Sequence, residues 1–150
     1  MEHEGVWLRG NLHMHTRRSD GRKSYEEAVA LYERAGYDFI AVTDHWVVSE
    51  GGETAGSMLL LPGCEYNVGE NVREGIVHIV GIGMERAPAL VRGQPGLCAQ
   101  ALIDGIRDAG GLAILAHPAC APGGTKRSEP YRGASLPKAC QGAAGGAGGR

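Results

Sequence analysis

The spacing of apolar residues predicts three elements in the first third of the chain. The apolar run over residues 7–15 predicts a strand. Residues 24–27 read Ser-Tyr-Glu-Glu, the form of a helix capping box, and the helix that follows is expected to run to about Ala35 and to end at Gly36. Residues 38–42 predict a short buried strand. Strand, helix and strand in this order indicate a parallel βαβ unit.

The same alternation continues to about residue 118. Residues 49–56 form a polar, Gly-rich stretch that predicts a loop, whereas residues 97–109 predict a helix that is closed by two glycines. Apolar runs predict further strands at 58–61, 76–82 and 112–116. Strands of this kind, separated by helices, favour a parallel α/β sheet or barrel.

Composition narrows the class of protein. The chain has 150 residues, 43% of them hydrophobic and 21% charged, which is typical of one globular domain. Its formal net charge of −2 gives no basic surface for nucleic acid. No apolar run approaches the roughly 18 residues that span a membrane, and no secretory leader is recognisable, so we expect a cytoplasmic protein. The four cysteines form no C-x-x-C pair, which argues against a cysteine-rich zinc knuckle.

The predicted strands carry most of the histidines. His13 and His15 end the first strand, and because they are two residues apart their rings point to the same side. His45 follows the second strand, and His117 follows the last. Strand ends in parallel α/β folds converge on one mouth, so we expect these side chains to meet there. Asp20, Glu65 and His78 are the remaining candidates for this group, in which a carboxylate could bridge two ions.

Each residue also has a plain structural explanation when it is taken alone. An H-x-H pair is equally well explained by histidines that are satisfied within the fold, and His78 between two apolar neighbours is typical of a core histidine. Asp44 alone could cap the next segment. Arg17 and Arg18 are most simply explained as solvated loop residues. Together, however, these polar groups would be costly to bury without partners, and a shared metal site removes that cost.

The ordered motifs resemble one enzyme superfamily. The chain is similar to the polymerase and histidinol phosphatase (PHP) superfamily, and within it to the carbaryl-hydrolase-like (CehA/McbA) branch, over about residues 6–118. The motifs that carry the resemblance are Asn11-Leu12-His13-Met14-His15-Thr16, Ser19-Asp20-Gly21, Thr43-Asp44-His45, Pro62-Gly63-Cys64-Glu65, His78-Ile79-Val80-Gly81 and Ala116-His117-Pro118.

The resemblance implies a fold and a metal site. The implied fold is part of a distorted seven-stranded β/α barrel, with parallel strands and the site at their C-terminal ends. Two to three divalent ions are implied: one at His13, His15 and Glu65, a second at Glu65, His78 and His117, and a third at Asp20 and His45. Imidazole and carboxylate ligands suit manganese, zinc or iron. The family's final Asp-x-His motif has no counterpart here, since no histidine follows His117 and no aspartate follows Asp108.

These implications lead to a functional hypothesis. A metal-activated water would hydrolyse a small phosphorylated substrate, Asp44 would orient a neighbouring histidine ligand, and Arg17 would bind the phosphate. The domain is expected over residues 1–118, as the N-terminal part of a truncated barrel, and residues 119–150 are expected to form a disordered Gly/Ala-rich tail. Two alternatives stay open: a metal-binding remnant without activity, and a PHP module that accompanies a DNA polymerase.

Overall fold

Two small sheets, each covered by one helix, make up the described structure. A computed structural model describes residues 5–69 and 76–118; the expected tail at 119–150 lies outside them. The elements in chain order are β1 (Gly10–Asn11), α1 (Tyr25–Arg34), β2 (Phe39–Ala41), β3 (Thr54–Ala55), β4 (Met58–Leu61), β5 (Gly63–Val68), β6 (Val77–Ile82), α2 (Ala99–Asp108) and β7 (Leu112–Leu115).

The first sheet confirms the predicted βαβ unit. Its strand order is β1-β2-β4-β3, in which β1, β2 and β4 are parallel and β3 is antiparallel to β4. Helix α1 covers this sheet, and Val29, Ile40 and Met58 lie in the apolar core between them. Ser24 caps α1 through a complete capping box, and Gly36 follows the helix with a φ of 72°.

The first strand is much shorter than the predicted span 7–15. Only Gly10–Asn11 pairs with β2 as a regular strand. Trp7 is fully exposed, so the apolar run before the strand does not contribute to the core. Beyond Asn11 the chain stays beside β2 through Thr43, whose backbone N–H donates to the Met14 carbonyl at 2.8 Å and whose side chain accepts from the Met14 N–H at 3.1 Å. One backbone hydrogen bond and one side-chain contact therefore take the place of the regular ladder.

The second sheet corrects the expectation of parallel strands throughout. Strands β5, β6 and β7 are antiparallel, in that order. The sequence prediction ended the third strand at Leu61, but the chain continues through Pro62 into β5, which the prediction missed. Proline lacks the backbone N–H that a continuous ladder needs, so the apolar run is divided into two strands that belong to different sheets.

A second apolar core lies between α2 and this sheet. Leu102 and Ile106 of α2 are fully buried against residues of β5 and β6, including Cys64 and Ile79. A smaller cluster that includes Ala41 of β2 connects the two sheets. The described strands form two open sheets, so the expected barrel is not seen in this part of the chain. None of the described helices combines the length and the apolar character needed to cross a membrane.

Candidate metal centre

One buried carboxylate lies at the centre of the predicted site. Glu65 lies within β5 and is 1% exposed. Its Oε2 atom is 3.1 Å from His13 Nε2, 2.9 Å from His15 Nε2 and 3.5 Å from His45 Nε2. Three imidazoles that come from two loops of the first sheet therefore converge on one oxygen of a residue in the second sheet.

The other oxygen of Glu65 receives the remaining two histidines. Its Oε1 atom is 2.8 Å from His78 Nδ1 and 3.1 Å from His117 Nε2. The contact that His78 makes through Nδ1 differs from those of the other four histidines, which approach Glu65 through Nε2. The carboxylate thus divides five imidazoles into a group of three and a group of two, as a bridging carboxylate between two ions would.

Strand direction explains how these side chains meet. His45 follows β2 and His117 follows β7, as predicted. His13 and His15 follow β1, whereas the prediction placed them within a strand that continued to residue 15. His78 instead lies near the start of β6, because β6 is antiparallel to its neighbours and begins where they end. Glu65 lies inside β5, and an isolated parallel bridge pairs it with His45 across the two sheets.

Asp20 approaches the cluster from the loop after His15. Its Oδ1 is 3.4 Å from His15 Nδ1, and its Oδ2 is 3.8 Å from His45 Nε2. The loop turns tightly, since the Gly21 N–H donates to the Thr16 carbonyl at 2.9 Å. A side chain at Gly21 would clash with the backbone of His15. Asp20 is 67% exposed, so it lies at the open side of the cluster.

Asp44 supports this loop from inside the protein. It is 1% exposed, and its Oδ1 accepts from the Thr16 backbone N–H and from the Ser19 hydroxyl, both at 2.7 Å. Its Oδ2 accepts from the Thr16 hydroxyl at 2.6 Å. Burial on its own would raise the pKa of Asp44, but these hydrogen bonds outweigh it and hold the pKa below its ordinary value.

The expected role of Asp44 is therefore indirect. We expected it to orient a histidine, and it reaches His15 only through Ser19, whose hydroxyl lies 3.4 Å from His15 Nδ1. Thr16 and Ser19 belong to the quoted motifs, yet the sequence analysis assigned no role to them. The sequence did contain a signal for these roles. A buried aspartate needs hydrogen-bond donors, and the hydroxyls of Thr16 and Ser19 lie in the loop that follows His15.

The side chain of Arg17 contacts residues outside the histidine cluster. Its Nε donates to the Arg22 carbonyl at 3.0 Å, and its guanidinium lies 3.8 Å from a carboxylate oxygen of Glu27. Both contacts are on the exposed surface near the start of α1. Binding of a substrate phosphate by Arg17 stays a prediction.

The local environment lowers the pKa of both Glu65 and His45, which favours a charged Glu65 and a neutral His45. Burial would raise the pKa of Glu65, but hydrogen bonds from His13 and His78 and the nearby imidazoles outweigh it and lower the pKa below its ordinary value. Glu65 is therefore a carboxylate at neutral pH. Burial is the largest effect on His45 and lowers its pKa, which favours the neutral ring. His45 Nδ1 is buried without a hydrogen-bond partner in the described structure.

Backbone strain also occurs at the cluster. In the ranges 5–69 and 76–118, the non-glycine residues with positive φ are Trp46 at 57° and His117 at 28°. Trp46 directly follows His45, and its backbone N–H donates to the Glu65 carbonyl at 3.0 Å. Such conformations cost about 1–3 kcal/mol each and persist where the surroundings impose them, often at functional sites.

The donor set fits a transition-metal ion. Ligand atoms around a tetrahedral ion with bonds of about 2.0–2.2 Å lie roughly 3.4 Å apart. His13 Nε2 and His15 Nε2 are 3.2 Å apart, and each is 2.9–3.1 Å from Glu65 Oε2. The ligand atoms of three groups lie within 4.8 Å of one another: His13, His15 and Glu65; His15, Asp20 and His45; His45, Glu65 and His78. Without a proton or cation between them, these lone pairs would repel.

Comparisons with known proteins returned only structural similarities. The chain matches no family model and no curated protein. An amidohydrolase from Chromobacterium violaceum, solved with sulfate and no metal, is 25% identical over 66% of this chain and 32% of its own, with a TM-score of 0.40.

Two further solved structures have names that mention phosphoesterases. One, from Bifidobacterium adolescentis and proposed to be a metal-dependent phosphoesterase, is 22% identical over 54% of this chain and 30% of its own, with a TM-score of 0.42. A two-domain protein from Bacteroides vulgatus, containing a predicted PHP-like metal-dependent phosphoesterase, is 19% identical over 71% and 34%, with a TM-score of 0.46. The chain spans about a third of the length of each of the three structures.

Proposed function

We propose that this chain forms the metal-binding part of a metal-dependent hydrolase of the PHP type, which acts on a small phosphoester. The observation that carries the proposal is the convergence of five imidazoles on the two oxygens of one buried carboxylate, Glu65. The proposed ligands are His13, His15, Asp20, His45, Glu65, His78 and His117. Residues 1–118 are the proposed extent of the domain.

The origin of the ligands supports a functional cluster over an accidental one. The proposed ligands come from both sheets, and His117 is 52 positions from Glu65 along the chain. Bringing these polar groups together costs free energy, because each would otherwise be hydrated. Bound cations would compensate at once the imidazole nitrogens and carboxylate oxygens that face one another in the cluster.

The two oxygens of Glu65 suggest how the ligands divide. We assign His13 and His15 to an ion on the Oε2 side, and His78 and His117 to an ion on the Oε1 side. Asp20 and His45 would hold a third ion at the exposed edge of the cluster. Imidazole and carboxylate donors favour zinc, manganese or iron over calcium and magnesium.

Each residue then has a distinct part in hydrolysis. When bound, the ions would offset the charge of a phosphate group and acidify a water enough for attack at neutral pH. Glu65 would hold the two sides at a constant separation, since it is buried and pinned by five contacts. Asp44 would keep the His15–Asp20 loop in place. The substrate would enter beside Asp20 and His117, whose side chains are 67% and 40% exposed. Arg17 would bind the phosphate if its loop rearranged.

Metal content tests the site. Protein grown with added manganese or zinc should carry bound metal on elemental analysis, and Glu65→Gln should lose most of it because the neutral amide cannot bridge two cations. Glu53→Gln is the matched control, since Glu53 is exposed in a loop. Circular dichroism should show both variants folded. Wild-type protein with no metal above background would refute the site.

Turnover tests the reaction. With metal bound, the chain should hydrolyse p-nitrophenyl phosphate at a rate that depends on added Mn²⁺ or Zn²⁺. His78→Gln should abolish this activity, whereas Gln100→Ala, on the exposed face of α2, should retain it. If the protein is fully loaded with metal and still hydrolyses none of a panel of phosphomonoesters and phosphodiesters, the proposed phosphoesterase activity is wrong. The chain would then be a metal-binding remnant without activity.

A further inference from the structure

We propose that Trp46 is a positioning residue that sets the distance between His45 and His78 within the histidine cluster. The proposal rests on the proposed metal site, although Trp46 itself binds no ion in it. The observation behind it is that one side chain, together with its backbone N–H, is bound along a single strand of the second sheet. Trp46 contacts three consecutive residues of β5: Glu65, Tyr66 and Asn67.

The backbone on both sides of His45 is bound to Glu65. The Glu65 N–H donates to the Asp44 carbonyl at 3.2 Å, and the Trp46 N–H donates to the Glu65 carbonyl at 3.0 Å. These two hydrogen bonds form the isolated parallel bridge between His45 and Glu65. A bridge of one residue pair does not by itself fix the direction of the chain that follows it, so further contacts are needed to hold this segment against the second sheet.

The side chain of Trp46 supplies these further contacts. Its indole Nε1 donates to Asn67 Oδ1 at 2.8 Å, and its ring packs edge-on against the ring of Tyr66, with centroids 5.1 Å apart. Tyr66 is 3% exposed and belongs to the apolar core between α2 and the second sheet. Trp46 therefore adds an aromatic contact with the core and a directed hydrogen bond to the single backbone bridge.

Asn67 connects this anchor to the second histidine. In the antiparallel ladder of β5 and β6, Asn67 lies directly opposite His78. Residues that are opposite each other in such a ladder stay close together, because the backbone hydrogen bonds fix their register. The rings of His45 and His78 lie edge to face, with centroids 5.4 Å apart. The indole thus links the segment that carries His45 to the strand position opposite His78.

The backbone conformation of Trp46 shows that these contacts hold the chain in place. Its φ of 57° lies in the left-handed region, which is unfavourable for a residue with a large side chain. Such a conformation persists only where the surroundings impose it. In this conformation the Trp46 N–H reaches the Glu65 carbonyl while the indole reaches Asn67. Loss of the indole hydrogen bond should let the backbone relax and move His45 away from His78.

Proton NMR of the metal-free protein tests this role without any metal. A nuclear Overhauser effect should connect the ring protons of His45 and His78 in the wild type. Trp46→Phe keeps an aromatic ring but removes the indole N–H, and Asn67→Ala removes its acceptor, so both variants should lose most of this signal. Trp7→Phe, the same substitution at a fully exposed tryptophan, is the matched control and should retain it. An unchanged signal in Trp46→Phe would overturn the proposal.

Zinc affinity provides the second readout. Titration with Zn²⁺ alone should give a Kd about 10-fold higher for Trp46→Phe than for wild type, the usual effect of losing a residue that supports a metal ligand. Asn67→Ala should raise the Kd by a similar factor, and the double variant by no more than either single variant, since all three lack the same hydrogen bond. Additive effects in the double variant would refute the proposed link between the two residues.

A general loss of stability needs its own control. Ser24→Ala removes the cap of α1, away from the second sheet, and should lower the melting temperature without changing the zinc Kd. Trp46→Phe should raise the Kd even where its melting temperature equals that of Ser24→Ala. An increased Kd in Ser24→Ala of the same size would show that the effect of Trp46→Phe reflects stability alone and would refute the positioning role.

The outcomes separate this proposal from the metal site itself. If the wild type binds zinc and the signal between His45 and His78 persists in Trp46→Phe, the positioning role is refuted while the metal site stands. If the wild type binds no zinc but this signal depends on Trp46 and Asn67, the metal site is refuted and the positioning role stands.

Discussion

Thr16 and Asp44, which are 28 positions apart, are joined by two hydrogen bonds. The Thr16 backbone N–H donates to Asp44 Oδ1 at 2.7 Å, and its hydroxyl donates to Oδ2 at 2.6 Å. Both residues are buried at the edge of the first sheet. The pair fastens the loop that follows His15 to the end of β2, so the stability of the fold and the geometry of the candidate site depend on the same contact.

Asp44→Asn should therefore destabilise the protein by about 2 kcal/mol, because the amide lacks the charge that strengthens the three hydrogen bonds and its NH₂ group cannot accept from the Thr16 hydroxyl. The free energy of unfolding in urea measures this at neutral pH. Asp104→Asn, on the exposed face of α2, is the control and should change stability little. A variant as stable as the wild type would contradict the inferred role of Asp44.

The cost of Asp44→Asn should depend on pH. The folded-state pKa of Asp44 lies below its ordinary value of 3.8. A depressed pKa contributes stability that is fully present above the unfolded pKa and is lost as the pH falls through the folded pKa. The difference in unfolding free energy between wild type and Asp44→Asn should stay constant from neutral pH to about pH 5 and shrink below about pH 4. A difference that persists unchanged at pH 2 would show that the carboxylate charge is not responsible.

Metal removal should lower stability through the histidine cluster. A ligand that binds only the folded state stabilises it by about 2.7 kcal/mol at 100 times its Kd. Chelator-treated protein should thus melt at a lower temperature than protein with added Zn²⁺ in a calorimetric scan. Ca²⁺ should give no such increase, because it prefers oxygen ligands. If Zn²⁺ raised the melting temperature of Glu65→Gln as much as that of the wild type, the metal would bind at a site other than the histidine cluster.

The cap of α1 should contribute measurably to stability. Ser24 Oγ accepts from the Glu27 N–H at 3.2 Å, and Glu27 Oε2 accepts from the Ser24 N–H at 2.8 Å. Ser24→Ala should cost about 1 kcal/mol, whereas Ser24→Asp should retain most of the stability because aspartate also caps helices. Chemical denaturation measures both variants. Ser57→Ala, at an exposed position, is the control, and an equal loss there would argue against a capping effect.

The exposed edge of the second sheet should promote self-association. Among the described strands β7 pairs only with β6, and Leu112 and Leu115 of β7 are 63% and 54% exposed. Unpaired backbone and apolar side chains on one edge favour contact between chains. Leu112→Lys should shift sedimentation toward the monomer, whereas Val91→Lys, at another exposed apolar residue, should not. A wild-type protein that sediments as a monomer at high concentration would contradict this expectation.

Local pattern predicted most elements because it reports local physics. The Ser24 capping box and Gly36 predicted the limits of α1 correctly, since caps and left-handed turns depend on a few neighbouring residues. The apolar run 58–61 became β4 as predicted. The errors occurred at β1, which is shorter than its predicted span, at β3, which lies within the predicted loop 49–56, and at β5, which was missed after Pro62.

The sequence by itself determined the residue types, their order, and the expectation that His13, His15, His45 and His117 lie at the ends of strands. Only the tertiary structure decided that the second sheet is antiparallel, that His45 joins His13 and His15 at one oxygen of Glu65, and that Asp44 acts through Thr16 and Ser19. The physical reason is the distance along the chain between the residues that determine each feature. Periodicity records which face of an element is buried, whereas strand direction and hydrogen-bond partners depend on residues that are brought together only when the whole chain folds.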